Sequence, residues 1–73
     1  MSSDRPAPDT LAAALPREMV RVAGLIPLYR AVANGEFAAA LMQRSIDRAQ
    51  AAIAEGDLAE MVRACADLRN WSA

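Results

Sequence analysis

Two glycine-containing turns divide the chain into three segments whose apolar residues recur at helical spacing. The turns are Asn34-Gly35 and Gly56-Asp57. Asparagine and glycine adopt the left-handed conformation that ends helices, and aspartate caps the start of the following one. No segment alternates apolar and polar residues with the period of two that a half-buried strand requires. The sequence therefore predicts an all-α fold: a small three-helix bundle with helix A over residues 16–33, helix B over 36–55 and helix C over 57–70.

Prolines at positions 16 and 27 determine what we expect of the first helix. Asp9 or Thr10 is expected to cap a short turn over residues 11–15. Pro16 then begins helix A, because the first residue of a helix needs no N–H group. Pro27 lies inside helix A, where it removes a hydrogen bond and predicts a kink near residues 23–24.

The N-terminal segment differs in composition from the rest of the chain. Residues 1–8 are rich in serine, proline and aspartate, which predicts a disordered tail, and residues 9–73 are expected to form a single helical domain. The segment lacks the cationic start and apolar run of a secretory signal, and no apolar run is long enough to span a bilayer. We therefore expect a cytoplasmic protein that does not associate with membranes.

Composition argues against several classes of function. The chain has 73 residues, a net charge of −1, no histidine and one cysteine. Cys65 has no histidine to activate it and lies on an apolar helical stripe, so it is interpreted as a core residue. Glu55, Asp57 and Glu60 lack the spacing of a calcium loop and are interpreted as helix-capping residues. We expect no enzymatic activity, no cofactor, no metal site and no small-molecule substrate.

Each predicted helix has one apolar stripe that is expected to face the core. In helix A the stripe comprises Met19, Val22, Ala23, Ile26, Tyr29 and Ala33. In helix B it comprises Phe37, Leu41, Met42, Ile46, Ala49 and Ile53, and in helix C Leu58, Met61, Val62, Cys65 and Leu68. Helices B and C are joined by the second turn and are expected to form a helical hairpin.

Helix A carries more apolar residues than one stripe requires. Leu25, Leu28 and Val32 form a second ridge beside the first. Either helix A lies centrally between B and C, or the ridge contacts another chain. Because a core of this size is small, the second alternative is favoured, and we predict a homodimer or a comparable partner complex built on the ridge. Trp71 is interpreted as a lid over helix A or as an anchor of the same interface.

Arg44 and Arg48 make a polar contact face on helix B possible. With Gln43 and Gln50 near by, the segment could be a DNA-reading helix of a small transcriptional regulator. The chain is net acidic, however, and Asp47 lies between the two arginines, so nucleic acid is not the favoured partner.

Several segments resemble small uncharacterised helical proteins encoded by bacteriophages and prophages of proteobacteria. The similarity runs over residues 15–71, through Leu15-Pro16-Arg-Glu-Met19, Tyr29, Phe37-Ala-Ala-Ala-Leu-Met42, Ala54-Glu-Gly-Asp-Leu-Ala-Glu-Met61 and Asp67-Leu68. This resemblance implies a phage-related origin and a compact helical fold, and it carries over no active site.

The function we expect is therefore a non-enzymatic interaction module that self-associates and binds a bacterial host protein to modulate it. A DNA-binding regulator using helix B is the first alternative. A structural or assembly component of the virion is the second.

Overall fold

The computed structural model describes residues 10–72 of the chain. Within this range it contains three α-helices and no strand. They are α1 (Leu11–Arg30), α2 (Gly35–Glu55) and α3 (Leu58–Arg69), and each packs against the other two. The all-α prediction and the bundle of three helices are confirmed. The predicted disordered tail over residues 1–8 lies outside the described residues.

The first helix begins five residues earlier than predicted. Thr10 is its N-cap and accepts a hydrogen bond from the backbone N–H of Ala13 at 3.2 Å, so residues 11–15 are part of α1 rather than a separate turn. Pro16 and Pro27 both lie inside the helix on its exposed side. The carbonyls that lose their usual donor belong to Ala12 and Ala23, which are also exposed, so water can hydrate them. The kink near residues 23–24 stays a prediction.

The two turns form as predicted. Asn34 takes the left-handed conformation with φ 67°, although α1 already ends at Arg30 rather than at residue 33. Gly56 also has φ 67° and ends α2. Asp57 then caps α3 by accepting a hydrogen bond from the backbone N–H of Glu60 at 3.1 Å. The predicted hairpin of helices B and C is therefore confirmed at its turn, Gly56, and at its cap, Asp57.

Gly35, at the start of α2, lies against the backbone at the end of α1. The residue is buried, and a Cβ atom built on it would lie 1.6 Å from the carbonyl oxygen of Tyr29 and 2.9 Å from Cγ2 of Val32. Only a residue without a side chain fits there. Gly35, which the sequence indicates as part of a turn, is thus also required by the packing of α2 against the end of α1.

The core lies between the three helices and is built from side chains of all of them. Its buried residues are Ala14, Leu15, Val22, Leu25, Ile26, Ala39, Met42, Ile46, Ala49, Ala64, Cys65 and Leu68. Cys65 is a buried free thiol, as predicted. Six residues assigned to the buried stripes are instead exposed: Ala23, Ala33, Phe37, Ile53, Leu58 and Val62. The last four lie at the ends or outer edges of α2 and α3, where no third helix covers them. Ala23 lies on the exposed side of α1, and Ala33 lies in the turn that follows α1.

The end of α3 is attached to α1 by side-chain hydrogen bonds. Arg21 donates to the carbonyl oxygens of Leu68 at 2.9 Å and Trp71 at 2.8 Å, so one guanidinium group on α1 holds two backbone carbonyls at the C-terminal end of α3. The hydroxyl of Tyr29 donates to the carbonyl of Ser72. We call these contacts the C-terminal clamp. None of the described helices is long and apolar enough to cross a membrane.

Candidate interaction surfaces

The outer face of α1 carries a series of exposed apolar residues. We define it as the exposed residues Val20, Ala23, Gly24, Pro27, Leu28 and Ala31, with Val32 just beyond the helix end. Val20 is 73% exposed, Leu28 58% and Val32 56%. No charged residue occurs between Arg21 and Arg30. The middle of α1 is thus apolar both on the face that packs against α2 and α3 and on the exposed face.

The ridge predicted on helix A is only partly exposed. Leu25 is 9% exposed and lies in the core, whereas Leu28 and Val32 remain on the surface. The reason is that α1 packs against both other helices and so buries a wider arc than a single stripe, with Leu25 at one edge and Met19 at the other. The central position of helix A, which the sequence left as one alternative, accounts for Leu25. It does not explain why Leu28 and Val20, which are exposed, are apolar.

A groove on a different side of the molecule lies between α2 and the end of α3. Its volume is about 570 Å³, and its lining residues are Leu41, Arg44, Ser45, Arg48, Asp67 and Trp71. We call it the α2–α3 groove. It brings together three residues singled out by the sequence: the polar pair Arg44 and Arg48, and Trp71. The sequence placed Arg44 and Arg48 on helix B and Trp71 just after helix C, without predicting that the three residues meet.

Trp71 forms one wall of the groove and also packs on the core. Its indole N–H donates to the hydroxyl of Ser45 at 3.3 Å, and Ser45 is itself buried on α2. The side chain is half-buried, so part of the indole faces the groove. Trp71 therefore contributes to packing and to surface chemistry at once. Its role as an interface anchor stays a prediction.

The two arginines of the groove differ in their pairing. Arg48 bonds to Glu60 with an N–O distance of 2.8 Å, and Arg63 contacts the other oxygen of the same carboxylate at 3.1 Å. These two guanidinium groups hold the pKa of Glu60 below its ordinary value of 4.5. Within residues 10–72, Arg44 makes no hydrogen bond or ion pair through its side chain, and neither does Asp67 on the opposite wall.

A smaller groove lies between the start of α1 and α3. Its volume is about 270 Å³, with Leu11, Ala14, Val62, Cys65, Ala66 and Arg69 as its lining residues. Exposed Leu58 lies one turn before Val62 on the same helix face.

Comparison of the chain with protein-family models, with curated proteins and with solved structures returns no match. The predicted phage relationship is therefore still a prediction. Among the described residues, no group of three or more histidine, cysteine, aspartate or glutamate side chains is placed to hold a metal ion.

Proposed function

We propose that the protein is a non-enzymatic interaction module of phage type, which binds a bacterial host protein through the outer face of α1 and also self-associates. The observation that carries the proposal is the exposed apolar surface of α1 between Val20 and Leu28. A helix that is apolar on all sides is ordinarily buried on all sides, and its uncovered face is therefore expected to be covered by another chain.

Gly24 supports this assignment. A Cβ atom built at Gly24 would have no atom within 4 Å, so packing within the chain gives no reason for a glycine there. Glycine inside a helix destabilises it by roughly 0.5–1 kcal/mol relative to alanine. A residue without a side chain does, however, let a second backbone approach the helix closely. Its place in the middle of the exposed apolar face fits a partner that packs tightly against α1.

The alternative of DNA binding through α2 gains no support from the side-chain contacts. Arg48 is paired with Glu60, and Asp47 accepts a hydrogen bond from Gln43 on the surface of the same helix. Two charged groups on this surface, Asp47 and Arg48, thus have partners within the chain. Nucleic-acid contact would rest chiefly on Arg44, and one phosphate contact gives little affinity.

Site-specific crosslinking tests the proposal. A photoreactive amino acid replaces Val20 on the outer face of α1 or, as the control, Gln50 on the exposed side of α2. In bacterial cells, position 20 is expected to give a discrete crosslinked product that position 50 does not give. Leu28→Glu in the same chain should abolish that product while leaving the helical circular dichroism unchanged.

Two results would contradict the assignment of α1. Equal crosslinking from both positions would indicate random collision, and the absence of any discrete product from position 20 would show that the face has no partner. A product of twice the chain mass would identify a second copy, rather than a host protein, as the occupant.

A further inference from the structure

The α2–α3 groove carries opposite charges on its two walls, and neither charge is paired within the described residues. Arg44 stands on α2 and Asp67 on α3, and both line the groove. The neighbouring cross-helix pair, Arg48 and Glu60, is closed at 2.8 Å. The groove is therefore the place along the α2–α3 boundary where a cation and an anion face the same space without meeting.

The same surface offers an aromatic side chain that the core does not use. Phe37 is 75% exposed, more than any other large apolar residue among those described. It lies one helical turn before Leu41, which lines the groove, so both residues are on the same side of α2. The exposed side chain of Phe37 thus lies beside the α2–α3 groove, whose apolar walls are Leu41 and Trp71. Phenylalanine, tryptophan and arginine are enriched in the centres of protein interfaces.

We propose that the α2–α3 groove is the surface through which two copies of this chain pair about a twofold axis. In a twofold interface, each contact between residue i of one copy and residue j of the other occurs twice. Arg44 of one copy then pairs with Asp67 of the other, and Asp67 of the first with Arg44 of the second. Phe37 of each copy covers the apolar part of the groove of the other.

Charge complementarity favours a second copy over other occupants. An acidic ligand attracted by Arg44 would meet Asp67, and a basic ligand attracted by Asp67 would meet Arg44. A second copy presents both signs, carried by the same two residues. The groove lies between α2 and α3, whereas the outer face of α1 points away from both, so pairing through the groove leaves that face free.

This inference rests on the proposed function in one respect, since it names the surface for the self-association that the function includes. The test uses two charge-reversal variants, Arg44→Asp and Asp67→Arg, and the mass in solution from sedimentation equilibrium. Wild-type protein should sediment at twice the chain mass of 7.8 kDa. Each variant alone places like charges opposite each other twice and should raise the dissociation constant at least about tenfold.

Mixing the two variants gives the decisive measurement. In the mixed pair, every contact again joins an aspartate to an arginine, so the 1:1 mixture should recover a dimer that neither variant forms alone. The double variant R44D/D67R should recover a homodimer for the same reason. Circular dichroism of each variant confirms that it is folded before its mass is interpreted.

Several outcomes would overturn the inference. They are a wild-type chain that stays monomeric across the concentration series, single variants that remain dimeric, and a mixture that remains monomeric although both chains are folded. Val20→Glu is the matched control on the outer face of α1 and should leave the dimer intact. If Val20→Glu dissociates the dimer and Arg44→Asp does not, the pairing surface is on α1 and this inference fails, whereas the crosslinking experiment tests the host-protein role separately.

Discussion

At the scale of single residues, the three glycines of this chain have three different physical roles. Gly56 provides a left-handed backbone, Gly35 provides space for a neighbouring backbone, and Gly24 provides neither within the chain. Sequence alone identifies all three as glycines near or inside helices. The structure separates them by what a Cβ atom would contact.

Substitution of Gly35 by alanine tests the close approach of α1 and α2. The added Cβ would overlap the carbonyl oxygen of Tyr29, which is backbone and cannot move aside as a flexible side chain can. We expect a loss of at least about 3 kcal/mol in the free energy of unfolding, near the upper end of overpacking effects. Gly24→Ala is the matched control and should stabilise the chain by about 0.5–1 kcal/mol. Urea denaturation monitored by circular dichroism measures both, and equal midpoints for the two variants would contradict the assignment.

At the scale of helices, a feature could be predicted from the sequence when the contacts that determine it join residues close together in the chain. The caps at Gly56 and Asp57 involve bonds within five residues, and the sequence was sufficient for them. The predicted start of helix A at Pro16 is wrong, because Thr10 caps the helix and a proline whose released carbonyl faces water is tolerated inside it. Leu25 is buried in the core instead of lying on an exposed ridge, because the buried arc of α1 depends on where two other helices lie.

The pairing of α2 with α3 through Glu60 predicts a dependence of stability on pH. Its pKa is lowered in the folded chain by Arg48 and Arg63, so the stabilisation is present above the unfolded value of about 4.5. It is lost as the pH falls through the lower folded value, because the protonated carboxyl no longer attracts either guanidinium group.

Comparison of the wild type with Glu60→Gln measures this effect. The urea midpoint of the wild type should exceed that of the variant at pH 7, and the difference should shrink as the pH is lowered below about 4.5. Glu36→Gln is the control, because the pair of Glu36 with Arg30 is wider, at 3.7 Å, and more exposed. A constant difference between wild type and Glu60→Gln over the whole range would show that the ion pairs contribute nothing.

At the scale of the whole molecule, contacts between distant parts of the chain create both the fold and the candidate surfaces. Arg44 and Asp67 are on different helices and line one groove only because the hairpin returns α3 alongside α2. The predicted hairpin could have indicated that the end of α3 lies near the first half of α2. Helical periodicity does not specify side-chain positions. It therefore could not predict that Arg44 and Asp67 form no bond with each other, or that Phe37 is exposed.

The C-terminal clamp predicts that one arginine of α1 stabilises the entire bundle. Arg21→Met keeps the aliphatic stem and removes the donors to the carbonyls of Leu68 and Trp71. We expect a loss of about 1–3 kcal/mol, as for hydrogen bonds made by a charged group. Arg30→Met, which removes only an exposed ion pair, should cost less than about 0.5 kcal/mol. Thermal unfolding of both variants measures the contrast, and equal melting temperatures would refute the role of the clamp.

The position of Trp71 also makes the protein report on its own assembly. This residue is the only tryptophan in the chain, and its indole contacts α2 through Ser45 while its backbone carbonyl is held by α1. Its fluorescence therefore follows the convergence of three helices, whereas far-ultraviolet dichroism follows helix formation within each of them. Coincident transitions by these two signals would establish that secondary and tertiary structure form in one cooperative step. The chain thus contains an intrinsic optical probe located at the groove itself, so no extrinsic label needs to be attached.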